Sequence, residues 1–189
     1  KFQQGNKNDV KKAVDAAEKA FEKWSEMPAP KRGEILFKIG ELLKENKEEL
    51  AKIMTMEMGK VLVEARGDVQ EAIDMTYYMA AEGRRLFGHT TTSELKDKFS
   101  MTVRQPIGIA GLITPWNFPI AIPSWKIMPA LICGNTIVFK PSSDTPLCAI
   151  KFVEILEKAG ITKGVVYLIT GPGGSVGMDI ARNKKIRII

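Results

Sequence analysis

The spacing of apolar residues predicts a series of helices over residues 8–87. The first helix has one apolar residue on the same face at every turn, namely Val14, Ala17, Phe21 and Trp24. Asn8 or Asp9 is expected to cap its start, because a short polar side chain accepts hydrogen bonds from the free N–H groups there. The prolines in Pro28–Pro30 should end this helix, since proline breaks a helix interior.

The second and third helices are predicted in the same way. Pro30 fits the first turn of the second helix, where the missing N–H is not needed. The apolar face of that helix is formed by Ile35, Leu36, Ile39, Leu42 and Leu43. The third helix is predicted from Lys47 to Met58, with Asn46 as its cap and Gly59 as its stop.

A long fourth helix is predicted over residues 61–86 and should be closed by Gly88. The polar stretch 89–98, with consecutive threonines, is typical of a loop. Residues 101–105 have strand character, and Pro106 then limits further pairing because it lacks an N–H.

From Gly108 onward the pattern changes to short apolar strands that alternate with helices. The strand segments are GIAGLI, TIVF, VVYLI and IRII, and the helical segments between them include IPSWKIMPALI and PLCAIKFVEILEKAG. Such alternation predicts a parallel sheet and therefore an α/β fold. We divide the chain into a helical part (1–88), a linker with one strand (89–106) and a sheet-forming part (107–189). Because the last strand has no helix after it, we expect the chain to be a fragment of a longer protein.

Composition indicates an ordinary globular protein, with 44% hydrophobic and 26% charged residues. No apolar run approaches the roughly 18 residues of a membrane span, and the first residues lack the apolar centre of a signal peptide. A membrane partner is therefore not expected. The two cysteines, Cys133 and Cys148, do not form a disulfide framework, which favours a reducing, cytoplasmic location.

The net charge of +6 raises the possibility of nucleic-acid binding. However, the lysines alternate with glutamates along the predicted helices, as in KKAVDAAEKAFEKW, and this is typical of solvated helix faces. No basic block interleaved with aromatic residues occurs. Nucleic-acid binding is therefore not expected, although a basic nucleic-acid-binding domain is kept as an alternative.

The segment PWNFP fixes a polar side chain, Asn117, between two prolines. Because proline restricts the backbone, this amide should be held in place, and a fixed amide donor suits stabilisation of an oxyanion. The alternative is that Asn117 caps the helix that follows, which is the commoner role of a turn asparagine. On the spacing alone, the capping role is favoured.

Two lysines lie in apolar surroundings. Lys126 stands in a predicted helix and must either snorkel to the surface, pair with an anion or face a wet cavity. Lys140 ends the strand TIVF, so its ammonium group projects from the carboxyl end of a parallel strand, where ligands bind in open α/β sheets. A cation with several donors suits ribose hydroxyls and phosphates, and the alternative is an ordinary surface lysine.

The glycine-rich loop GPGG at residues 171–174 opens a short helix after a strand. Glycines there allow a ligand or a neighbouring strand to approach the backbone closely. The pattern is not the dinucleotide fingerprint GxGxxG, and glycine turns between strand and helix are common. Of the two cysteines, Cys133 is expected in the core, and Cys148 is either packed or activated by a helix N-terminus.

The segments ITPWNFP and GNTIVFKPS resemble those of the aldehyde dehydrogenase superfamily, and the resemblance extends from about Asn8 to Ile189. It implies helices packed on a Rossmann-like parallel sheet, here truncated, that binds NAD or NADP. It also implies that residues 89–106 join an oligomerisation sheet, so that the parent protein is a homo-oligomer, a dimer or tetramer. The nucleophilic cysteine and the catalytic glutamate of the family lie downstream of this segment.

The resemblance assigns roles to individual residues. Asn117 matches the oxyanion-hole asparagine, and Lys126 matches a lysine that helps to relay protons. Residues that match the cofactor site are Ile113, Thr114, Pro115, Trp116, Lys140, Ser142, Ser143, Gly173 and Gly177. Ser143 stands where many NAD-preferring relatives have a glutamate that would repel the 2′-phosphate of NADP, so we expect NADP to be accepted. No spacing of residues indicates a metal site.

The implied parent activity is oxidation of an aldehyde, and a semialdehyde fits the overall resemblance. Tyr77, Tyr78 and Arg84 are candidates for the wall of the aldehyde tunnel, with ordinary helix packing as the alternative for the tyrosines. Because the nucleophile is missing from the segment, the chain by itself is expected to be inactive. A non-catalytic fragment that binds a cofactor or a partner is the second interpretation.

Overall fold

A computed structural model of the chain describes residues 2–189. Its helices are α1 (Lys7–Glu26), α2 (Ala29–Glu45), α3 (Lys47–Met58), α4 (Leu62–Glu82), α5 (Ala121–Ile132), α6 (Pro146–Ala159) and α7 (Met178–Ala181). Its strands are β1 (Thr90–Thr92), β2 (Phe99–Met101), β3 (Ile109–Ile113), β4 (Thr136–Lys140), β5 (Val166–Leu168) and β6 (Ile186–Ile188). A π-helical turn, Gly173–Gly177, precedes α7.

The sheet is parallel, with the strand order β5-β4-β3-β6, and the predicted α/β fold is confirmed. Successive side chains of a strand point to opposite faces, which explains why both faces are covered. Val138 of β4 packs with α1 on one face, whereas Ile137 and Phe139 pack with the helices α2–α6 on the other. Helices of the first part of the chain thus share a core with the sheet.

Two predicted helix caps and one predicted helix end need correction. Asn6, rather than Asn8 or Asp9, caps α1, because its side chain accepts from the N–H of Asn8 while the Asp9 side chain accepts from the N–H of Asn6. The fourth helix ends at Glu82 instead of continuing to Leu86 and Gly88. The bounds of α3 are as predicted, but the Asn46 side chain donates back to Leu42 of α2 and does not cap α3.

The linker forms a β-hairpin that the sequence pattern predicted only in part. Thr90–Thr92 pairs antiparallel with Phe99–Met101, so a strand lies within the stretch predicted as loop. Only Met101 of the predicted strand 101–105 belongs to a strand, because the register pairs Met101 with the first residue of β1 and leaves residues 102–105 without a partner strand.

Replacement of Gly59 by alanine is expected to destabilise the chain by about 1 kcal/mol, because Gly59 ends α3 with φ +79° and L-residues are strained there. The added methyl group would meet nothing within 4 Å, so backbone strain is the only cost. Gly67 is the matched control: it is exposed inside α4, its added methyl also meets nothing within 4 Å, and Gly67→Ala should stabilise by about 0.5–1 kcal/mol. Urea unfolding measures the change in the free energy of unfolding for each variant. Changes of the same sign in the two variants would contradict this account.

Candidate functional site

The carboxyl ends of β3, β4 and β5 lie side by side. Ile113, the last residue of β3, is the register partner of Lys140, the last residue of β4. The N–H of Thr114 donates to the carbonyl of Lys140 at 3.1 Å, and on the other side of β4 the N–H of Ile169 donates to Phe139 at 2.8 Å. The turn that carries Asn117, the segment after Lys140 and the glycine-rich loop are therefore gathered at one edge of the sheet, where ligands bind in open α/β folds.

The Lys140 ammonium group is buried, with 3% of the residue exposed, at this edge. Burial lowers the pKa of Lys140, and the negative charge of Asp144 partly opposes that shift. Its hydrogen bond goes to the carbonyl oxygen of the adjacent Pro141 at 2.6 Å, and no other acceptor is recorded for it within residues 2–189. Since an ammonium group has three donors, two of them are left for a ligand. Lys140 is therefore not an ordinary surface lysine.

The glycine-rich loop leaves open surface beside Lys140. A methyl group added to Gly177 would lie 3.7 Å from the Cδ and Cε atoms of Lys140 and 3.8 Å from the Ile113 side chain. Methyl groups added to Gly173 or Gly174 would meet nothing within 4 Å. The loop is thus open at Gly173 and Gly174, and the donors left on the nearby Lys140 suit the hydroxyl groups of a sugar, so the chemistry of these residues fits a nucleotide.

The two serines after β4 have different surroundings. The Ser142 hydroxyl donates to the Asp144 carboxylate at 3.0 Å and accepts from the N–H of Asp144 at 3.2 Å, so it stabilises the local turn. The Ser143 hydroxyl donates to the carbonyl of Gly171 at 3.2 Å and ties this segment to the glycine-rich loop. Its oxygen keeps acceptor capacity, and the residue is exposed at the edge of the sheet.

The turn that follows β3 presents its tip to solvent. Thr114 is buried and its hydroxyl has no partner among the described residues, whereas Pro115, Trp116 and Asn117 are exposed. Asn117 lies at a cavity of about 650 Å³, whose wall also includes Lys60, Glu64, Asp68, Glu71, Trp116 and Phe118. The Asn117 side chain does not cap α5, so the capping role favoured by the spacing is wrong.

Two charged residues that the sequence pattern did not reveal, Lys60 and Asp68, lie behind Asn117. Lys60 donates to the backbone carbonyl of Asn117 at 2.7 Å and to the Asp68 carboxylate at 2.9 Å. Asp68 also accepts from the N–H of Ala121 at 2.8 Å and so performs the capping role expected of Asn117. A signal was available, because Asp68 falls at the helical spacing of the buried residues of α4.

Lys126 is exposed on α5, and the structure does not place it in the cavity of Asn117. It lines a second cavity of about 840 Å³ together with Arg32, Arg104 and Cys133. The two candidate catalytic residues thus face different cavities of the described chain.

Neither cysteine is activated as a nucleophile. Burial, followed by the neighbouring Glu57 carboxylate, raises the pKa of the Cys148 thiol, and burial raises that of Cys133. Glu57 also accepts from the N–H groups of Leu147 and Cys148 at 2.6 and 2.8 Å, so it occupies the N-terminus of α6. Activation of Cys148 by that N-terminus is therefore excluded. Within residues 2–189, no group of three or more His, Cys, Asp or Glu side chains could hold a metal ion.

None of the three residues considered for the tunnel wall, Tyr77, Tyr78 and Arg84, lines the cavity of Asn117. The Tyr77 ring packs on Phe37 of α2, with centroids 5.3 Å apart, and its hydroxyl donates to Glu41. Tyr78 and Arg84 are exposed and do not line the cavity of Asn117. The residues of α4 that do line it come from the first half of the helix, namely Glu64, Gly67, Asp68 and Glu71.

Among residues 2–189, no helix is long and apolar enough to cross a membrane.

Comparison with known proteins places this geometry in context. A family model described as "Aldehyde dehydrogenase family" matches residues 1–189. The chain is 44% identical over 97% of its length to alpha-ketoglutarate semialdehyde dehydrogenase of Haloferax volcanii. It is 43% identical over 98% of its length to betaine aldehyde dehydrogenase of Bacillus subtilis. The chain spans 38% of the length of each of these two curated relatives.

The fold is also similar to that of solved structures. An NADP-dependent enzyme of E. coli superposes with a TM-score of 0.96 at 37% identity, covering 98% of this chain and 39% of that one.

Proposed function

Because this chain belongs to the aldehyde dehydrogenase family, we propose that the protein that carries it oxidises an aldehyde to a carboxylic acid with NAD or NADP. One observation carries the proposal: the exposed Asn117 amide lies at the same sheet edge as the buried Lys140, which has donors to spare. The test is to incubate the whole protein with a short aldehyde and each cofactor and to follow formation of the reduced cofactor. Absence of reduction with both cofactors over a range of aldehydes would overturn the proposal.

In this proposal, Asn117 stabilises the oxyanion that forms when a nucleophile attacks the aldehyde carbon. Its carbonyl is engaged by Lys60, so the backbone of the turn is held while the side-chain amide remains exposed. A donor that is already oriented costs no reorganisation as charge develops on the aldehyde oxygen.

Lys140 and the glycine-rich loop would hold the adenosine half of the cofactor. The ammonium donors of Lys140 suit ribose hydroxyls, Gly173 leaves the surface open, and Gly177 lets the backbone approach the Lys140 side chain closely. Ile113, Thr114, Pro115 and Trp116 would flank the cofactor from the neighbouring strand end. When bound, the cofactor accepts a hydride from the substrate carbon.

The nucleophile and the general base would come from outside residues 1–189, since both cysteines of the chain have raised thiol pKa values. Lys126 would assist proton transfer from the second cavity. Residues 1–189 alone are therefore expected to bind cofactor without turning over aldehyde, which is also the second candidate function. Titration of the chain with NADPH and with NADH tests it, and no detectable binding of either would reject the assignment of the cofactor site to this segment.

We infer that the substrate is a semialdehyde. The support is similarity, because a relative at 44% identity is named for alpha-ketoglutarate semialdehyde, whereas one at 43% is named for betaine aldehyde. The kcat/KM of the whole protein for succinate semialdehyde and for betaine aldehyde distinguishes these two kinds of substrate. A preference for betaine aldehyde would contradict the inference.

NADP is the proposed cofactor of choice, and the Ser143→Glu variant should reverse that preference. A carboxylate at this exposed position would repel the 2′-phosphate, so the ratio of NADP to NAD efficiency should fall at least about tenfold. The Ser143→Gln variant is the matched control, because it adds the same bulk without charge and should change the ratio much less. The measurement is kcat/KM with each cofactor. A native protein that uses NAD at least about tenfold better than NADP would contradict the assignment.

We further propose that the protein is a cytoplasmic homo-oligomer, a dimer or tetramer. The hairpin β1–β2 supports the assembly, because Phe99 and Met101 are 74% and 61% exposed and large exposed apolar groups mark interaction surfaces. The free thiols of Cys133 and Cys148 support a reducing location. Sedimentation of the whole protein as a monomer would contradict the assembly, and its recovery from a secreted fraction would contradict the location.

A further inference from the structure

A buried ion pair lies directly behind the turn that carries Asn117. Lys60 follows the glycine that ends α3, and Asp68 lies in α4. Their side chains are 8% and 0% exposed, and the distance from Lys60 Nζ to Asp68 Oδ2 is 2.9 Å. Burial of two charges costs free energy that their mutual contact rarely recovers. The other hydrogen bonds of Lys60 and Asp68 therefore indicate what the pair contributes to the structure.

Lys60 holds the turn by two interactions. Its Nζ donates to the backbone carbonyl of Asn117 at 2.7 Å. The same atom lies 3.9 Å from the centroid of the Phe118 ring, within the range of a cation–π contact. The ammonium group therefore holds the Asn117 carbonyl and the Phe118 ring, while the Asn117 side chain stays exposed.

Asp68 holds the other end of the same segment. Its Oδ1 atom accepts from the N–H of Ala121, the first residue of α5, at 2.8 Å. Because a helix start leaves N–H groups without intrahelical partners, this bond sets where α5 begins. One ion pair thus ties both ends of segment 117–121, and neither of its members comes from the motif itself.

We propose that the Lys60–Asp68 pair is a positioning device that orients the Asn117 amide for oxyanion stabilisation. The inference rests on the proposed function, in which Asn117 is the donor. In this role Lys60, whose side chain is 8% exposed, acts through Asn117. Loss of the Lys60 ammonium should lower turnover, because small displacements of a catalytic group are costly, while the cofactor site at Lys140 is left intact.

An ion pair between α3 and α4 provides a control. Arg66 of α4 donates to both carboxylate oxygens of Glu48 of α3, at 2.9 and 2.8 Å. Both side chains are about half exposed, at 45% and 51%. The Arg66→Met variant breaks a link between α3 and α4 without removing any recorded hydrogen bond to segment 117–121 and should leave turnover unchanged.

The experiment combines Lys60→Met with Asn117→Ala in the whole protein. Lys60→Met alone should lower kcat about tenfold, with the Kd for NADPH changed less than about twofold. In the Asn117→Ala background, Lys60→Met should lower kcat less than about twofold, because the effects of two substitutions that act through the same group are not additive. The same loss in both backgrounds, or no loss in the native background, overturns the inference.

Two readouts keep this result separate from the proposed function and from simple unfolding. If Asn117→Ala itself leaves kcat unchanged, the oxyanion assignment fails and the inference fails with it. If Asn117→Ala is impaired but Lys60→Met is not, only the inference fails. In the 189-residue chain, the pair of NMR signals from the Asn117 side-chain NH2 group should broaden or double in Lys60→Met and stay one sharp pair in Arg66→Met. Unchanged resonances in a folded Lys60→Met chain also overturn the inference.

Discussion

Replacement of Asn117 by alanine is expected to lower the turnover of aldehyde oxidation by about a hundredfold or more. Removal of one oriented oxyanion donor costs about 3–4 kcal/mol of transition-state stabilisation in well-studied acyl-transfer sites. Asn117 is placed where such a donor could act, because its backbone is held by Lys60 while its side chain is exposed at the cavity. The measurement is steady-state kcat and KM of the whole protein, and the loss should fall on kcat, since the charge develops only in the transition state.

Stability should not be affected, because the exposed Asn117 side chain does not cap α5. Asn8, an exposed asparagine in the first turn of α1, serves as the control, and Asn8→Ala should retain full turnover. An Asn117→Ala protein that keeps more than about a third of native kcat would contradict the oxyanion assignment.

Replacement of Lys140 by methionine is expected to weaken NADPH binding by about 10- to 100-fold. Hydrogen bonds from a charged donor contribute about 1.5–3 kcal/mol each, and Lys140 has donors that no group among the described residues uses. Methionine has a similar length and removes only the cation. The measurement is the Kd of the 189-residue chain for NADPH by calorimetry.

The fold itself should tolerate this change. Burial lowers the pKa of Lys140, which means that its charged form is less stable in the folded chain than in water. Removal of the ammonium group therefore takes away one cost of folding, so the variant is expected to stay folded. Lys38, exposed on α2, is the control, and Lys38→Met should bind NADPH as the native chain does. A folded Lys140→Met chain with unchanged Kd would contradict the cofactor assignment.

Together, the two residues make the sheet edge a divided site. Lys140 lies at the end of β4 beside the glycine-rich loop, and Asn117 lies beyond the end of the neighbouring strand β3. Direct pairing of Ile113 with Lys140 sets the spacing between the two halves. Mutations in one half should therefore change cofactor affinity and mutations in the other should change turnover, which the two variants above measure separately.

The local pattern of apolar and turn-forming residues was sufficient to predict most of the helices and strands. The apolar spacing at Val14, Ala17 and Trp24 predicted the buried face of α1, and the left-handed Gly59 ended α3 as expected. The strands around GIAGLI and TIVF were predicted because their apolar runs are short and bounded by turn residues. The hairpin was missed in part, since its threonines carry no apolar alternation and the strand exists only through its partner.

The sequence itself marked the positions of Asn117 and Lys140, because a rigid turn and a strand end can be recognised from proline and apolar runs, whereas the roles of the candidate site residues came from the resemblance to the aldehyde dehydrogenase superfamily. Tertiary structure alone decided what surrounds them: that Lys140 is buried, that Tyr77 packs on α2, and that Asp68 instead of Asn117 caps α5. The physical reason is distance along the chain. Lys60 and Asp68 meet Asn117 and Ala121 only after the helices pack, and no local propensity records a hydrogen bond between residues so far apart.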